Sequence, residues 1–156
     1  MTLTEFLLAR IAEDEAVAAA AVSRRDGVDK WEAVGSGTVV GPGYDKVKHV
    51  MLPSSEDGAA RHIARHDPAR VLAEVEAKRR IVAEAFEVAA TIDGEWGCCH
   101  DADDIRRGYR EPTPGWGDEA EPLPEGCAGP EVAGKFLQAL AAVYAGHEDY
   151  RQEWKP

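Results

Sequence analysis

Cys98, Cys99 and His100 stand in a row, and with Cys127 they supply the ligand types of a Cys3His zinc site. Thiolate and imidazole suit the tetrahedral preference of that ion. The spacing is less favourable than the residue types. Zinc knuckles place two residues between paired cysteines so that both sulfurs converge, whereas neighbours in an extended chain point to opposite sides. Cys98 and His100 are placed to converge, and Cys99 joins them only if the backbone turns sharply. The competing reading is a set of ordinary buried or free thiols. His62 and His66 stand four apart in a segment of helical pattern, the spacing by which two imidazoles reach one metal. The zincin pattern requires glutamate directly after the first histidine, and Ile63 occupies that place, so protease chemistry has no support. A composite zinc site, in which His62 or His66 completes the cysteine cluster, is one expectation. The structural alternative is that His66 and Asp67 shape a helix junction while His62 packs or hydrogen-bonds there.

Other chemistry-bearing groups read as structural. Asp101, Asp103 and Asp104 invite a calcium loop, but Ile105 stands where a ligand is due and Arg106 where the loop glycine belongs. An N-cap at Asp101, with acids in the first turn of a short helix, explains the cluster. Gly35-Ser36-Gly37 lacks the third glycine of a dinucleotide fingerprint, and no phosphate-loop lysine follows. A thiolate nucleophile at Cys99 beside His100 is disfavoured, since catalytic partners usually meet through the fold rather than as neighbours. His147, Tyr150 and Trp154 near the C-terminus read either as a binding platform or, in preference, as a tail folded back over the core edge.

The elements that must position these groups are mostly helical. Thr2 and Glu5 form a capping box, and Leu3, Leu7, Ile11, Ala18 and Val22 recur at helical spacing, giving a first helix over about 3–23. The β-branched residues after Trp31 predict a strand, Gly41-Pro42-Gly43 a turn, and Tyr44 to Leu52 a second strand, together an antiparallel hairpin. Glu56 to His66 is helical. Asp67-Pro68 then restarts the chain with an N-cap acceptor and a proline at the first helical position, opening a long helix over about 68–90. Five of the nine prolines fall within 110–130, which reads as a loop. Pro130 opens a last helix. The expected fold is α+β: four or five helices with a small antiparallel β-hairpin. Its core is drawn from Leu7, Ile11, Val71, Val75, Val82, Phe86, Phe136, Leu137 and Leu140. Residues 1–156 are expected to form a single domain with an irregular, acidic, Pro/Gly-rich segment over 93–130.

Composition narrows the function classes. The formal charge is −11, and residues 91–131 alone carry eleven acids against three bases. Such a surface repels phosphate, so nucleic-acid binding through a basic face is disfavoured, while a cation or another protein is a suitable partner. No apolar run approaches the roughly 20 residues that a bilayer needs, and the N-terminus lacks the basic flank of an export signal. Three cysteines, two of them adjacent, suit a reducing compartment. A soluble, cytoplasmic protein is expected.

Two segments carry a resemblance. One is His62-Ile63-Ala64-Arg65-His66-Asp67-Pro68-Ala69-Arg70-Val71-Leu72 continuing to Glu76-Ala77-Lys78-Arg79. The other is the tail from Tyr144-Ala145-Gly146-His147-Glu148-Asp149-Tyr150 to Trp154. With Glu95-Trp96-Gly97-Cys98-Cys99-His100 between them, and Trp31 and the first helix also fitting, the chain resembles an actinobacterial and actinophage family of small proteins known as a domain of unknown function (family 6221). The resemblance implies a setting, phage- or prophage-associated, and no activity. Members with the Cys-Cys-His sequence often carry a further cysteine soon after a following glycine, but here Gly108 is followed by Tyr109 and Arg110. Cys127 stands as a displaced substitute.

No acid/base pair or nucleophile set converges in the sequence, so the leading expectation is a non-enzymatic accessory or interaction protein with a small structural zinc site. A metal-dependent, zinc-hydrolase-type enzyme is the second expectation, in which an open zinc position activates water. The third is an acidic mimic of nucleic acid that inhibits a host protein.

Overall fold

The chain enters its first helix through a closed capping box. Thr2 N–H donates to Glu5 Oε2 at 2.7 Å, and Glu5 N–H donates to Thr2 Oγ1 at 3.1 Å. Two orphan donors of the first turn are satisfied reciprocally. In this computed structural model the described residues are 1–22, 30–34, 38–40, 50–51, 57–95, 101–107, 109–110, 121–122 and 128–156. They contain five α-helices: α1 (Leu3–Ala21), α2 (Asp57–Arg65), α3 (Pro68–Glu95), α4 (Ala102–Arg107) and α5 (Gly129–Ala141). Five short strands accompany them: β1 (Glu32–Ala33), β2 (Thr38–Val40), β3 (Val50–Met51), β4 (Tyr109–Arg110) and β5 (Glu121–Pro122). The fold is therefore α+β and mainly helical, as the sequence pattern requires.

The expected antiparallel hairpin is present as β2 and β3, Thr38 opposite Met51 and Val39 opposite Val50, and a further strand precedes it. The stretch after Trp31 is not one strand but two, because β1 and β2 pair antiparallel with Glu32 opposite Val40 and Ala33 opposite Val39. Val34 N–H donates to Thr38 O at 2.9 Å and closes this connection. β3 then pairs antiparallel with β2 on its other edge, giving the order β1-β2-β3. An uninterrupted strand reading misses that β1 and β2 are separate antiparallel strands. The turn expected at Gly41-Pro42-Gly43 lies outside the described residues. Within the stretch read as loop, β4 and β5 pair antiparallel, Tyr109 with Pro122 and Arg110 with Glu121.

The chain divides into two compact units. The first comprises Met1–Ala9 and Lys78–Pro156, and its buried residues include Phe6, Leu7, Val82, Ala85, Phe86, Ala89, Ile105, Leu137, Tyr150 and Trp154. The second is Arg10–Ala77, with Ile11, Ala18, Val39, Val40, Ala60 and Val75 buried and α2 packed on β1 and β2. Six of the nine expected core residues are buried: Leu7, Ile11, Val75, Val82, Phe86 and Leu137. Val71 and Leu140 are half-buried, and Phe136 is exposed. Among the described residues no helix is long and apolar enough to cross a membrane.

α3, at 28 residues, is the longest element. Asp67 is its N-cap: Oδ1 accepts from Arg70 N–H at 2.8 Å, while Oδ2 accepts from Trp31 N–H at 3.3 Å. One carboxylate thus satisfies the start of a helix and the approach to β1. Asp67→Ala is expected to destabilise the protein by about 1 kcal/mol through loss of the cap, read as a lower midpoint in urea unfolding. An unchanged midpoint would show that the junction is held by other contacts.

Candidate functional site

α2 carries the only sequence-predicted ligands that fall among the described residues, His62 and His66. The last turn is closed by His66 N–H, which donates to His62 O at 3.2 Å and to Ile63 O at 3.1 Å. Both imidazoles are exposed on one side of that turn, with ring centroids 4.6 Å apart and planes inclined by 48°. The structural expectation for this junction holds for Asp67 and for the His66 backbone, while the two imidazoles are exposed and packed on one another. Among the described residues no group of three or more His, Cys, Asp or Glu side chains is placed to hold a metal ion. The Asp67 carboxylate accepts the two backbone donors named above.

Cys98, Cys99, His100 and Cys127 lie outside the described residues, as does Gly35-Ser36-Gly37. What the structure supplies is the frame on either side of the cysteine segment. α3 continues to Glu95, past the expected end near 90, because its C-terminal turns carry a tertiary anchor. Asp93, fully buried, accepts through Oδ1 from Gly129 N–H at 2.7 Å. Gly129 is the first residue of α5, and the preceding Ala128 offers no side-chain cap. A carboxylate from another helix thus meets an orphan donor of α5, where the helix dipole also favours negative charge. The contact demands glycine. A Cβ at position 129 would stand 2.6 Å from Asp93 Oδ2 and 2.7 Å from Ala89 O. Sequence reading passes over Asp93 because its partner is 36 residues away. The only local hint is an acid on the apolar side of a helix, at i+4 from Ala89.

The acidic run after this segment is a cap, not a cation loop. Asp101 Oδ1 accepts from Asp103 N–H and Asp104 N–H, both at 2.9 Å, and Asp101 N–H donates to Asp104 Oδ2 at 3.3 Å. The carboxylates are spent on the start of α4, as the sequence suggests. Arg106, on the next turn of α4, lies over the Phe86 ring with its guanidinium carbon 5.0 Å from the centroid.

The C-terminal aromatics are structural as well. Phe6, without exposed surface, has Trp154 at 5.0 Å, Tyr150 and His147 at 5.9 Å and Tyr144 at 6.4 Å between ring centroids. Lys78 Nζ donates to the Tyr144 hydroxyl at 2.8 Å. Tyr150 and Trp154 are buried, so the tail folds back as expected and is no open platform. Among the described residues the exposed large apolar side chains are Met1, Leu8, Val17, Ile81, Val88, Phe136 and Val143, the last two close together on one helical stretch. Phe136 on α5 and Val143, in the 3-10 turn Ala142–Tyr144 that continues it, expose 51% and 67% of their surfaces. Farther round the same helix Ala133, Leu137 and Ala141 are buried, as is Gly129 at its start. On the polar surface Lys135 pairs with Glu131 at 2.6 Å, and this hydrogen bond and charge hold the Glu131 carboxyl below its ordinary pKa.

A family model described as "Family of unknown function (DUF6221)" matches residues 1–156. No curated protein and no solved structure matches the chain.

The Asp93–Gly129 contact gives a paired test on one helix. Gly129→Ala is expected to cost about 1–3 kcal/mol through overpacking against Asp93 and Ala89. Gly134→Ala, where an added Cβ meets nothing within 4 Å, should stabilise by up to about 1 kcal/mol through helix propensity. Unfolding midpoints that move together, in either direction, would show that the close approach at Gly129 does not govern this position.

Proposed function

From the premise that the chain belongs to the DUF6221 family, a family of unknown function, we propose that it is a non-enzymatic accessory protein that works by binding another protein. The observation that carries this reading is the exposed apolar side of α5. Phe136 and Val143 are seven residues apart, two helical turns, and so share a side, with half-buried Val132 and Leu140 along the same stripe. Large apolar side chains in one line cost solvation unless a partner covers them, and aromatic anchors dominate such interfaces. The net charge of −11 sets the partner's character. A second copy would repel this one over long range, whereas a basic partner with an apolar groove is drawn to it.

A structural zinc ion held by Cys98, Cys99, His100 and Cys127 is part of the same proposal. Its support is the Asp93–Gly129 hydrogen bond, which brings the two ends of the intervening segment together. Cys98 lies five residues beyond Asp93 and Cys127 two before Gly129, so their backbones reach at most about 18 Å and 7 Å from that bond. These limits would allow Cys127, distant in sequence, to join the other three without a further long loop closure. A bound ion would add folding free energy to a segment rich in proline and glycine.

The two parts are tested separately. The double variant Phe136→Glu/Val143→Glu should keep the helical circular dichroism of the parent and lose a protein that co-purifies with it from its native cells. Retention of every co-purifying protein by the variant would remove α5 as the binding surface. For the metal, protein purified without a metal-binding tag should contain one zinc per chain, and Cys98→Ser/Cys99→Ser should abolish it. Three freely reactive thiols with no zinc by elemental analysis would end that part of the reading.

A further inference from the structure

His62 and His66 form a second group suited to a metal, one that rests on neither the cysteines nor the α5 surface. Each imidazole is exposed, and their ring contact is with one another. Two imidazole nitrogens bound to one ion at about 2.0–2.1 Å must stand about 3 to 3.5 Å apart. Rings whose centroids are already 4.6 Å apart reach that geometry by side-chain rotation alone. Their backbones are fixed. His66 N–H is bonded to His62 O and Ile63 O, and the next residue, Asp67, is the N-cap of α3. The entropic cost of chelation is thus confined to the side-chain torsions of two residues.

The surroundings select the kind of ion. Arg65 is exposed one residue before His66, and Arg61 precedes His62, so a hard cation held by charge alone gains nothing here. A borderline ion bonding covalently to neutral imidazole tolerates such neighbours, and the overall charge of −11 favours cations at long range. We propose that His62 and His66 chelate one divalent transition-metal ion of the imidazole-preferring class, leaving its other coordination positions to water or to a ligand from a partner.

The test uses the full-length protein and Ni2+, an ion that thiols do not reduce, with diethyl pyrocarbonate labelling of each histidine read by peptide mass spectrometry. Ni2+ should protect His62 and His66 together with one midpoint, Co2+ should require a higher concentration in keeping with the order of divalent affinities, and Mg2+ should have no effect. His62→Gln, with the parent's circular dichroism, should raise the Ni2+ midpoint for protection of His66 at least tenfold, because chelation becomes single coordination. Equal labelling with and without Ni2+, or an unchanged midpoint for His66 in His62→Gln, would overturn the proposal. Protection by inorganic phosphate and not by Ni2+ would overturn it also, and would mark the Arg61–Arg65 turn as an anion site. Thiol reactivity measured in the same samples separates this site from the proposed zinc, because loss of one leaves the other readout in place.

Discussion

A buried carboxylate is the constraint around which the larger unit is arranged. Asp93 has no exposed surface, and taking a carboxylate out of water is tolerable only where hydrogen-bond donors replace the lost hydration. Gly129 N–H is one such donor, at 2.7 Å, and it comes from a helix end where backbone dipoles are aligned to receive negative charge. The requirement acts in both directions. α5 lacks a side-chain cap of its own, so its first turn depends on α3, while the last turns of α3 extend to Glu95 far enough to present the acid. Glycine at 129 follows from the short separation between the two helices at this point.

The same unit also holds a cluster of packed aromatic rings. Phe6 on α1 meets Tyr144, His147, Tyr150 and Trp154, mostly edge-on, an arrangement that places positive ring edges against negative faces. Each aromatic side chain buries roughly 150–250 Å², so a tail of irregular backbone becomes a substantial part of the core. The two 3-10 turns, Ala142–Tyr144 and Gln152–Trp154, set the register of these rings. With the aromatics of the tail consumed in this way, the large apolar side chains that this unit leaves exposed are Met1, Leu8, Ile81, Val88, Phe136 and Val143.

What the sequence revealed and what it concealed follow from the range of each interaction. The Thr2–Glu5 box, the Asp67 cap and the Asp101 cap are contacts across two or three residues, so residue type and spacing suffice to read them. The apolar periodicity of α3 likewise identified Val75, Val82 and Phe86 as buried. Phe136 was misplaced because α5 has apolar residues around much of its circumference, and the narrow line of Gly129, Ala133, Leu137 and Ala141 packs inward. A wheel drawn from large residues favours the wrong side when the close contact is made by small ones. Phe6 escaped notice for the complementary reason, since its partners lie more than a hundred residues away. Asp93 gives little local signal beyond an acid on the apolar side of α3, and Gly129 none, because neither residue type is unusual at a helix end. The candidate ligands were legible as types, and the spacing of four between His62 and His66 accounts for how close their rings stand.

Asp67 uses its two carboxylate oxygens on different length scales. Oδ1 binds an amide three residues on, and Oδ2 binds Trp31 N–H across 36 residues. The first bond is available as soon as one helical turn nucleates, a submicrosecond event. The second requires closure of a loop whose entropy costs about 3 kcal/mol beyond a constant. The two bonds thus differ in closure cost within a single side chain. In the folded protein the helix start fixes the position of the acceptor that the chain before β1 meets.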